Sequence, residues 1–392
     1  MIETVDYAIL GAGPAGTRAA RTIRAAEPES RVVVLSTDPH PFYNRILLTK
    51  TFLKSDEVDP DQVVLAPVEA YEKRGIEMRL GTRVERLDPD ARTLALSDGA
   101  DLAYENCLIA TGARPNELPV PGGAFARTLR SLDDAITLRE EARRAERAIV
   151  VGGGLIGVEV AAALVERGAA VRLLAREPWL FGHLAPEPVG CALERILADG
   201  GVEVALETTV VGIDAEDGRR IVRTESGAEL EAPLVVAGVG VTYNVEFLEG
   251  SGLVEPGRGV RVNAFLESEA PGLWAAGDVA AFEDPVLKTR HHVEHWLHAQ
   301  HQGRRAALNM TGEREPYARV SAYDTELFGT TVAAIGAPEI ATEWSGSGGW
   351  AEGRGHAIGS TDGRTVAAFR IGEAEVSVAE LVERIERDAG SA

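Results

Sequence analysis

Two glycine-rich turns constrain this chain more than any other part of its sequence. The letters VDYAILGAGPAG over residues 5–16 and AIVVGGGLIG over residues 148–157 each join an apolar strand to a helix through Gly-x-Gly-x-x-Gly. In such a turn the first glycine makes the bend, the second lets the backbone approach a pyrophosphate, and the third lets the helix pack close to the strand. Two copies in the same context predict two dinucleotide sites. Their candidate residues are Gly11, Gly13, Pro14, Ala15 and Gly16 in the first, and Gly152, Gly154, Leu155, Ile156 and Gly157 in the second.

Composition and charge narrow the class of protein further. At 392 residues the chain is long enough for two or three domains. A formal net charge of −21 argues against nucleic acid and anionic membranes as general partners. No apolar run approaches the roughly 20 residues of a membrane helix, and the first strand starts too early for a signal peptide. Because the two cysteines, Cys107 and Cys191, form no CxxC pair, we expect a cytoplasmic protein.

The end of the second predicted strand carries a candidate ribose ligand. In a βαβ dinucleotide fold, an acidic residue near the end of this strand binds the adenosine ribose. The strand covers residues 31–35 and is followed by Ser36, Thr37 and Asp38. Asp38 either binds this ribose or caps the turn that follows.

The segment PFYNRILLTK over residues 41–50 reads, on its own terms, as a loop followed by a short helix with a solvated lysine. It resembles the PY-x-RPPLSK stretch of FAD-dependent pyridine nucleotide reductases of the ferredoxin and rubredoxin reductase and apoptosis-inducing-factor type. The letters NRILL are closer still to the flavoprotein part of NADH-dependent nitrite reductases. The resemblance implies an FAD cofactor, with Arg45 and Lys50 beside the isoalloxazine. Thr37 falls where this family usually has its ribose glutamate, which leaves the role of Asp38 open.

Three further motifs resemble the same family and occur in its order. The letters ATG follow an apolar strand, as in the segment that closes the first FAD-binding part. The stretch VVAGVGVTYN resembles the return from the nucleotide domain, with Tyr243-Asn244 in place of Pro-Asn. A strand ending in Gly-Asp resembles the second FAD fingerprint, whose aspartate hydrogen-bonds the ribityl chain. The cofactor-binding residues implied by these motifs are Ala110, Thr111, Gly112, Gly240, Gly277 and Asp278.

Glu159 is the only charged residue between Leu155 and Val165, on the helix after the second glycine turn. The helix dipole favours an acid in the first turns, so a glutamate at this position does not by itself indicate a catalytic role. In the resembled family GGGxIGxE is the form found at this motif. Its glutamate points at the nicotinamide and pairs with the lysine that matches Lys50. The resemblance therefore implies that Glu159 and Lys50 are the catalytic pair.

The strand after the second glycine turn ends at Ala175, Arg176 and Glu177. An NAD-specific site wants a carboxylate at this strand end for the ribose 2′-hydroxyl, whereas an arginine accommodates the 2′-phosphate of NADP. The family position usually held by Glu is Ala175, and Arg176 could bind a 2′-phosphate bidentately. We therefore predict NADPH as the hydride donor, with NADH as the alternative.

Five of the eight histidines cluster in RHHVEHWLHAQH, residues 290–301. On a helix, His291, His295 and His298 would share a face, so a metal site is one interpretation. No clean ligand set with a supporting carboxylate accompanies them, and we predict no metal. The segment matches the family's helix after the Gly-Asp strand, whose N-terminal end touches the flavin. The flavin contacts that this match implies are Glu294, His295 and Trp296.

We predict an α/β fold with two Rossmann-like dinucleotide-binding domains, similar to glutathione reductase, and a small α+β C-terminal domain. The predicted boundaries are 1–113 for the first FAD-binding part, 114–238 for the NAD(P)H-binding domain, 239–312 for the second FAD-binding part and 313–392 for the C-terminal domain. Residues 202–237 read as a β-meander, and a capping box at Ser377 and Glu380 begins the last helix. Residues 320–328 resemble the nitrite-reductase-like variant of the C-terminal domain and lack the FWSD of ferredoxin reductases.

The reaction implied by the resemblance is hydride transfer from NAD(P)H to FAD, with Lys50 stabilising negative charge on the reduced ring. Disulfide- and peroxide-reducing relatives carry reactive cysteines at the place of residues 42–50, where this chain has none. We therefore expect electrons to pass to a protein acceptor such as a rubredoxin, a ferredoxin or a reductase subunit. The alternatives are a flavin-bearing redox sensor or interaction protein with slow turnover, and an NAD(P)H oxidase or quinone reductase.

Overall fold

The computed structural model describes residues 2–390, which divide into two compact units. The first contains the residues up to Asn44, Val64–Arg114 and Thr242–Arg319. The second contains Arg45–Val63, Pro115–Val241 and the residues from Val320 onward. Residues 45–63 and the C-terminal segment therefore group with the stretch that holds the second glycine turn. The assignment of one nucleotide to each domain, with the boundaries given above, stays a prediction.

Residues 2–390 contain seven α-helices and 27 strands, and most of the strands occur in runs between helices. The helices are α1 (Pro14–Ala26), α2 (Val68–Glu72), α3 (Leu132–Ala142), α4 (Leu155–Glu166), α5 (Glu187–Asp199), α6 (Trp296–Met310) and α7 (Val378–Gly390). The strands are β1 (Glu3–Leu10), β2 (Val32–Leu35), β3 (Phe42–Tyr43), β4 (Val64–Ala66), β5 (Ile76–Arg79), β6 (Val84–Asp88), β7 (Thr93–Leu96), β8 (Asp101–Ile109), β9 (Ala113–Pro115), β10 (Arg147–Val151), β11 (Ala170–Leu174), β12 (Val202–Ala205), β13 (Val210–Glu216), β14 (Arg219–Thr224), β15 (Glu229–Ala232), β16 (Leu234–Ala237), β17 (Val241–Tyr243), β18 (Val254–Glu255), β19 (Gly259–Val262), β20 (Leu273–Ala275), β21 (Ala280–Asp284), β22 (Thr289–His291), β23 (Ala322–Leu327), β24 (Thr330–Gly336), β25 (Glu343–Ser347), β26 (Gly355–Thr361) and β27 (Arg364–Ile371). Among residues 2–390, no helix has the length and apolar character needed to cross a membrane.

The core of the first unit is a seven-stranded sheet in the order β5-β2-β1-β8-β7-β6, with β20 also paired to β8. Strands β2 and β8 lie parallel to β1 on either side of it. All four residues of β2 are buried, as expected for a parallel strand that is covered on both faces. Helices α1 and α6 pack closely because Gly303 has no side chain where a Cβ would meet the backbone of Ala15.

The second unit contains a parallel sheet in the order β12-β11-β10-β16 and an antiparallel sheet β13-β14-β15. The prediction of one β-meander over residues 202–237 is therefore only partly correct. Its first and last strands join the parallel sheet, and only the middle three form the meander. The fully buried apolar run of β16 explains the difference, because such a run suits a central parallel strand.

The C-terminal part of the second unit is a five-stranded antiparallel sheet in the order β23-β24-β27-β26-β25. Helix α7 covers it and buries Leu381 and Ile385. The predicted capping box is confirmed. Ser377 Oγ accepts a hydrogen bond of 3.2 Å from the Glu380 backbone, and the Ser377 backbone N–H donates one of 2.8 Å to Glu380 Oε2. These two bonds satisfy donors that the start of a helix leaves unpaired.

The histidine-rich stretch is not one helix, so the metal-site interpretation, which needs His291, His295 and His298 on one helical face, loses its basis. His291 belongs to β22, and His295 is the extended N-cap residue of α6, which begins at Trp296. The buried imidazole of His291 instead contacts Asp284 on β21, Nε2 to Oδ2 2.9 Å, across the β21–β22 pair. His298 alone among the three lies on the helix. Among the described residues 2–390, no group of three or more His, Cys, Asp or Glu side chains could hold a metal ion.

Candidate active site

The first glycine turn lies between β1 and α1 in the first unit. Gly11 has a φ of +115°, and a Cβ there would collide with the carbonyl of Ala110. A Cβ on Gly16 would likewise collide with the carbonyl of Gly11. Gly13 is different, because a Cβ there would meet no protein atom within 4 Å. It is the N-cap residue of α1 and Pro14 has no N–H, so no side-chain cap satisfies the N–H groups of Ala15 and Gly16.

The second glycine turn, between β10 and α4, repeats this arrangement in the second unit. Gly152 has a φ of +118°, and a Cβ there would collide with the carbonyl of Gly238. A Cβ on Gly157 would collide with the carbonyl of Gly152. Gly154 is the N-cap residue of α4 and also lacks a side-chain cap. Both turns thus present an uncapped helix N-terminus, which is the arrangement that binds pyrophosphate.

A turn after β11 folds back onto the second glycine turn. The backbone N–H of Phe181 donates a hydrogen bond of 3.0 Å to the carbonyl of Gly153. His183 Cε1 lies 3.8 Å from the place of a Cβ on Gly154, and burial lowers the pKa of this histidine. Sequence reasoning missed His183, because a lone histidine in an irregular loop carries no periodic signal.

Arg176 and Glu177 form an ion pair at the end of β11, Nε to Oε1 2.9 Å. The Arg176 side chain is 79% exposed, whereas that of Glu177 is 26% exposed. Burial raises the pKa of the Glu177 carboxyl, but the hydrogen bond from Arg176 and other polar contacts outweigh it and lower the pKa overall. The strand end therefore offers a solvent-facing guanidinium with a carboxylate beside it.

In the first unit, the Ala110–Gly112 segment is joined to Asn244 by three hydrogen bonds. Thr111 Oγ1 donates to the Asn244 carbonyl at 2.8 Å, and Asn244 Nδ2 donates to the Thr111 carbonyl at 3.0 Å. The Asn244 backbone N–H donates to Gly112 at 3.0 Å. The asparagine of the Tyr243-Asn244 pair thereby closes the end of the strand. In the second unit, Gly240 has a φ of +93°, and its carbonyl accepts from the Asn116 backbone at 2.9 Å.

Gly277 lies against the helix pair α1 and α6. It has a φ of +81°, and a Cβ there would lie 3.2 Å from Ala15 and 3.4 Å from Ala299. Its backbone N–H donates a hydrogen bond of 2.8 Å to Gln302 Oε1, while Gln302 Nε2 is buried without a partner. A buried amide donor normally has a partner, so this corner beside Asp278 fits a polar ligand such as a dinucleotide. Gln302 was missed as a candidate, although it comes directly after the histidine-rich segment.

Near the start of α6, aromatic and acidic side chains meet. Trp296 stacks on Phe42 with ring centroids 5.4 Å apart. The hydroxyl of Tyr243 donates a hydrogen bond of 2.9 Å to Glu294 Oε1, one residue before the N-cap residue His295. Two of the predicted residues, Glu294 and Trp296, thus contact Tyr243 and Phe42, which were not among the predicted site residues.

Asp38 makes contacts within its own turn. Its Oδ1 accepts from the backbone of His40 at 3.0 Å, and its Oδ2 accepts from the hydroxyl of Tyr43 at 2.8 Å. These contacts match the capping interpretation of Asp38. Ribose binding by Asp38 stays a prediction.

Glu159, in the second unit, is the centre of a buried polar cluster. Only 8% of it is exposed on α4. Its Oε2 accepts a hydrogen bond of 2.6 Å from Thr49, and its Oε1 accepts one of 2.5 Å from Thr325. Lys50 Nζ lies 3.9 Å from the same Oε1, an ion pair beyond hydrogen-bonding distance. Sequence motifs predicted Lys50 and Glu159, but neither threonine.

Lys50 lies within the π-helical turn at Leu48–Phe52, which belongs to the segment that starts at Arg45. Phe52 is fully buried, and the Arg139 guanidinium lies 3.7 Å above its ring. Arg139 also donates a hydrogen bond of 2.5 Å to the carbonyl of Val58. These contacts fix the segment against α3.

A second anchor of the same segment is Asp56. Arg167 and Arg143 contact its carboxylate at 2.7 and 2.9 Å. The hydrogen bonds from Arg167 and, to a smaller extent, Arg143 lower the pKa of Asp56. Lys54 pairs with Glu166 at 2.9 Å. The backbone that follows Lys50 is therefore held to the helices α3 and α4 and to the residues that end them.

Neither cysteine forms a disulfide. Cys107 lies fully buried in β8, and burial raises its pKa. Cys191 is exposed on α5, and partial burial with the nearby Glu187 and Glu194 raises its pKa as well. No thiol of the chain has the lowered pKa of a reactive cysteine.

A family model described as pyridine nucleotide-disulphide oxidoreductase matches residues 5–303, well over half of the chain. The chain belongs to this family. It is therefore an FAD-dependent NAD(P)H oxidoreductase, as are the ferredoxin reductases that it resembles. The two-domain fold predicted from the glycine turns is likewise that of its structural neighbours.

Several ferredoxin reductases resemble this family member over most of its length. The anthranilate 1,2-dioxygenase system ferredoxin–NAD(+) reductase component of Burkholderia cepacia is 33% identical over 317 residues, 80% of this chain and 77% of that protein. The ferredoxin reductase for the CYP199A2 system from Rhodopseudomonas palustris gives a TM-score of 0.87 at 27% identity, covering 93% of this chain and 91% of that one. The covalent putidaredoxin reductase–putidaredoxin complex gives 0.89 at 26% identity, covering 97% and 93%. The predicted ferredoxin reductase branch is thereby confirmed.

Proposed function

We propose that this chain is an NADPH-dependent reductase of a small one-electron carrier protein, such as a ferredoxin or a rubredoxin. The observation that carries the proposal is the pairing of Lys50 with Glu159 on the helix that follows the second glycine turn. No cysteine occupies residues 42–50, so a thiol cannot take the electrons there. The named functions of the relatives, ferredoxin reductase and putidaredoxin reductase, support the same acceptor class.

The FAD-binding role is proposed for the first unit. Its helix N-terminus would hold the pyrophosphate, and the corner formed by Gly277, Asp278 and Gln302 would hold the ribityl chain. The uncapped start of α1 and the unpartnered Gln302 amide support this assignment. The proposed FAD contacts of the first unit are Gly11, Gly13, Pro14, Ala15, Gly16, Asp38, Ala110, Thr111, Gly112, Gly277, Asp278, Glu294, His295 and Trp296. Arg45 and Lys50, which group with the second unit, are proposed as further FAD contacts.

The NAD(P)H-binding role is proposed for the second unit. The uncapped start of α4 would hold its pyrophosphate, as the same geometry does in other dinucleotide folds. The proposed contacts are Gly152, Gly154, Leu155, Ile156, Gly157, Glu159, Arg176 and Gly240.

Bound FAD supplies the chemistry of accepting a hydride from NAD(P)H and releasing electrons singly. The chain supplies charge and orientation. Lys50 would place a cation where negative charge develops, and Glu159 would orient the nicotinamide. Because Lys50 has no hydrogen bond to Glu159, its ammonium can turn toward a developing anion without first breaking one.

The preference for NADPH rests on Ala175 and Arg176. The exposed Arg176 guanidinium can turn toward a 2′-phosphate, and Ala175 carries no acid that would repel it. Glu177 favours NADH instead, since its carboxylate could bind a ribose 2′-hydroxyl. The relative from Burkholderia cepacia is named for NAD(+), so the donor needs a direct comparison.

This chain has a net charge of −21, so an acidic carrier protein is repelled by it as a whole and needs a locally positive docking site. Burial lowers the pKa of His301, and three arginines lower it further by their positive charge, namely Arg319, Arg18 and Arg304. All three are exposed, and none is ion-paired to a carboxylate of the described residues. We propose this basic patch on the first unit as the docking site, and the cytoplasm as the setting of the reaction.

Anaerobic stopped-flow reduction tests the function. The purified holoenzyme is mixed with NADPH or NADH, and the oxidised flavin band near 450 nm is followed. Fast bleaching by NADPH and slow bleaching by NADH are expected. Fast bleaching by NADH alone would reject the NADPH preference and keep the reductase. An absent flavin band, or a flavin that neither nucleotide reduces, contradicts the function.

A second assay tests the acceptor. A ferredoxin or rubredoxin is added with cytochrome c as the terminal electron acceptor, and the rate is compared with that in the absence of the carrier. Carrier-dependent reduction supports the proposal. A rate that no carrier raises, with very slow reoxidation of the flavin, would favour the redox sensor instead.

A further inference from the structure

Thr325 is a buried polar residue on a face that is otherwise apolar. Along β23 the side chains alternate, with Asp324 and Glu326 exposed and Thr325 and Leu327 buried. Thr325 is only 3% exposed. A hydroxyl on the buried face of a strand is costly unless it has a hydrogen-bond partner. Its partner is Glu159 Oε1, 166 residues away in sequence.

The two threonines divide the Glu159 carboxylate between them. Thr49, which is 5% exposed, donates to Oε2, and Thr325 donates to Oε1. With a donor on each oxygen, the orientation of the carboxylate is fixed. The two hydrogen bonds also offset part of the free-energy cost of burying its negative charge. It therefore does not need Lys50 as a direct hydrogen-bond donor. The 3.9 Å separation between Lys50 Nζ and Oε1 agrees with this.

We propose that Thr325 is a positioning residue that keeps Lys50 out of a direct hydrogen bond with Glu159. Its hydroxyl occupies the oxygen that lies nearest to the Lys50 ammonium. Without that hydroxyl, the buried Oε1 lacks a donor, and Lys50 moves in to supply one. The lysine is then withdrawn from the negative charge that it stabilises during hydride transfer, a consequence that rests on the proposed function.

The first test reads the state of Lys50 without using activity. Lysines of the purified holoenzyme are acetylated with acetic anhydride, and the rate at each site is measured by peptide mass spectrometry. The chain has only four lysines, and Lys73 and Lys288 are exposed internal references. An amine that is hydrogen-bonded to a carboxylate reacts slowly, because it must first lose that partner. Thr325→Val is expected to slow Lys50 acetylation about threefold or more relative to the references.

Three variants separate positioning from general damage to the sheet. Thr325→Ser keeps the hydroxyl and is expected to label as the wild type does. Thr331→Val, on the neighbouring strand β24, removes a half-buried threonine that does not contact Glu159 and should leave Lys50 labelling unchanged. Thr325→Ala also lacks the hydroxyl and replaces Thr325→Val if valine is not accommodated. Equal labelling in wild type and a folded hydroxyl-free variant overturns the proposal, as does slow labelling in Thr325→Ser.

The second test uses the stopped-flow reduction of FAD. Thr325→Val is expected to lower the limiting rate several-fold with little change in the nucleotide concentration at half-maximal rate. In a Glu159→Gln background the same substitution should have no further effect on Lys50 labelling. If the wild type is not reduced by either nucleotide, the proposed function fails, while the labelling result still decides the role of Thr325. A reducible wild type with an unaffected Thr325→Val rate rejects the kinetic consequence alone.

Discussion

Tyr243 and Glu294 are joined by a hydrogen bond of 2.9 Å from the phenolic hydroxyl to Oε1. Tyr243 stands where the resembled family usually has proline, and it is 7% exposed. The bond links the return strand β17 to the residues just before α6.

We expect Tyr243→Phe to lower the free energy of unfolding by about 1.5 kcal/mol, the lower end for a hydrogen bond to a carboxylate, because Glu294 is exposed. Urea unfolding of the holoenzyme measures the change. Tyr104→Phe is the matched control, since the buried Tyr104 hydroxyl has no partner and its removal should cost nothing. Equal losses in both variants would show that the Tyr243–Glu294 bond contributes no stability.

Alanine variants of Gly13 and Gly154 should affect the binding of FAD and of NADPH separately. Gly13→Ala adds a Cβ that meets no protein atom within 4 Å, and Gly154→Ala adds one whose nearest neighbour is His183 at 3.8 Å. Both variants should fold, because neither glycine has a positive φ. We expect Gly13→Ala to weaken FAD binding about tenfold and Gly154→Ala to weaken NADPH binding by a similar factor, since the methyl group occupies the approach to the pyrophosphate.

Flavin content after dialysis measures the first effect, and titration with NADP+ measures the second. Each variant serves as the control for the other. A Gly13→Ala protein that keeps its flavin as the wild type does would remove the α1 N-terminus from the proposed FAD site.

Lys50→Met is expected to slow bleaching of the flavin band about tenfold to a hundredfold, because it removes the cation that stabilises the developing negative charge. Lys54→Met is the matched control on the same segment, where the lysine pairs with Glu166 at 2.9 Å. It should change the rate less than about twofold, since a partly exposed ion pair contributes little. Similar rates in both variants would place Lys50 outside the chemistry.

The thiols should take no part in turnover. Burial raises the pKa of Cys107, so a disulfide reagent at neutral pH should label at most Cys191, and faster as the pH rises through its raised pKa. The second thiol should react only after denaturation. A Cys107→Ser, Cys191→Ser double variant that lost NADPH-dependent flavin reduction while remaining folded would contradict the assignment.

Reversing charge in the basic patch should weaken docking of an acidic carrier. We expect Arg304→Glu combined with Arg319→Glu to lower kcat/KM for the carrier about tenfold at low salt and to flatten its salt dependence. NADPH reduction of the flavin should be unaffected. Arg86→Glu is the control, because Arg86 is 74% exposed on the same unit and lies in an ion pair with Asp88. An equal loss in the control would assign the effect to net charge.

The glycine turns and the strands around them could be predicted because their signals are local. A positive φ and a close backbone approach at Gly11 and Gly152 require glycine whatever the rest of the chain does. Glu159 and Lys50 could be identified because each lies in a short motif. Thr49 and Thr325 could not, since their only relevant contact is with a residue 110 or 166 positions away.

The start of α6 shows the other limit of sequence reasoning. The histidine spacing suggested one helix, but His291 pairs with Phe282 across β21 and β22, and this sheet contact overrides helical periodicity. For Asp38 the sequence indicates two roles, because a strand end followed by a turn suits both. Only the contacts with His40 and Tyr43 reveal its place in the turn.

The segment Arg45–Val63 belongs to the second unit, although the chain before and after it belongs to the first. Thr49 and Lys50 come from this segment, Glu159 from Pro115–Val241, and Thr325 from the C-terminal sheet. If only residues 115–241 were exchanged for those of another reductase, the glutamate of that reductase would lie beside Thr49, Lys50 and Thr325 of this chain and not beside its own partners. Transplanting the Lys50–Glu159 pair together with its two threonines means grafting three separate stretches of chain.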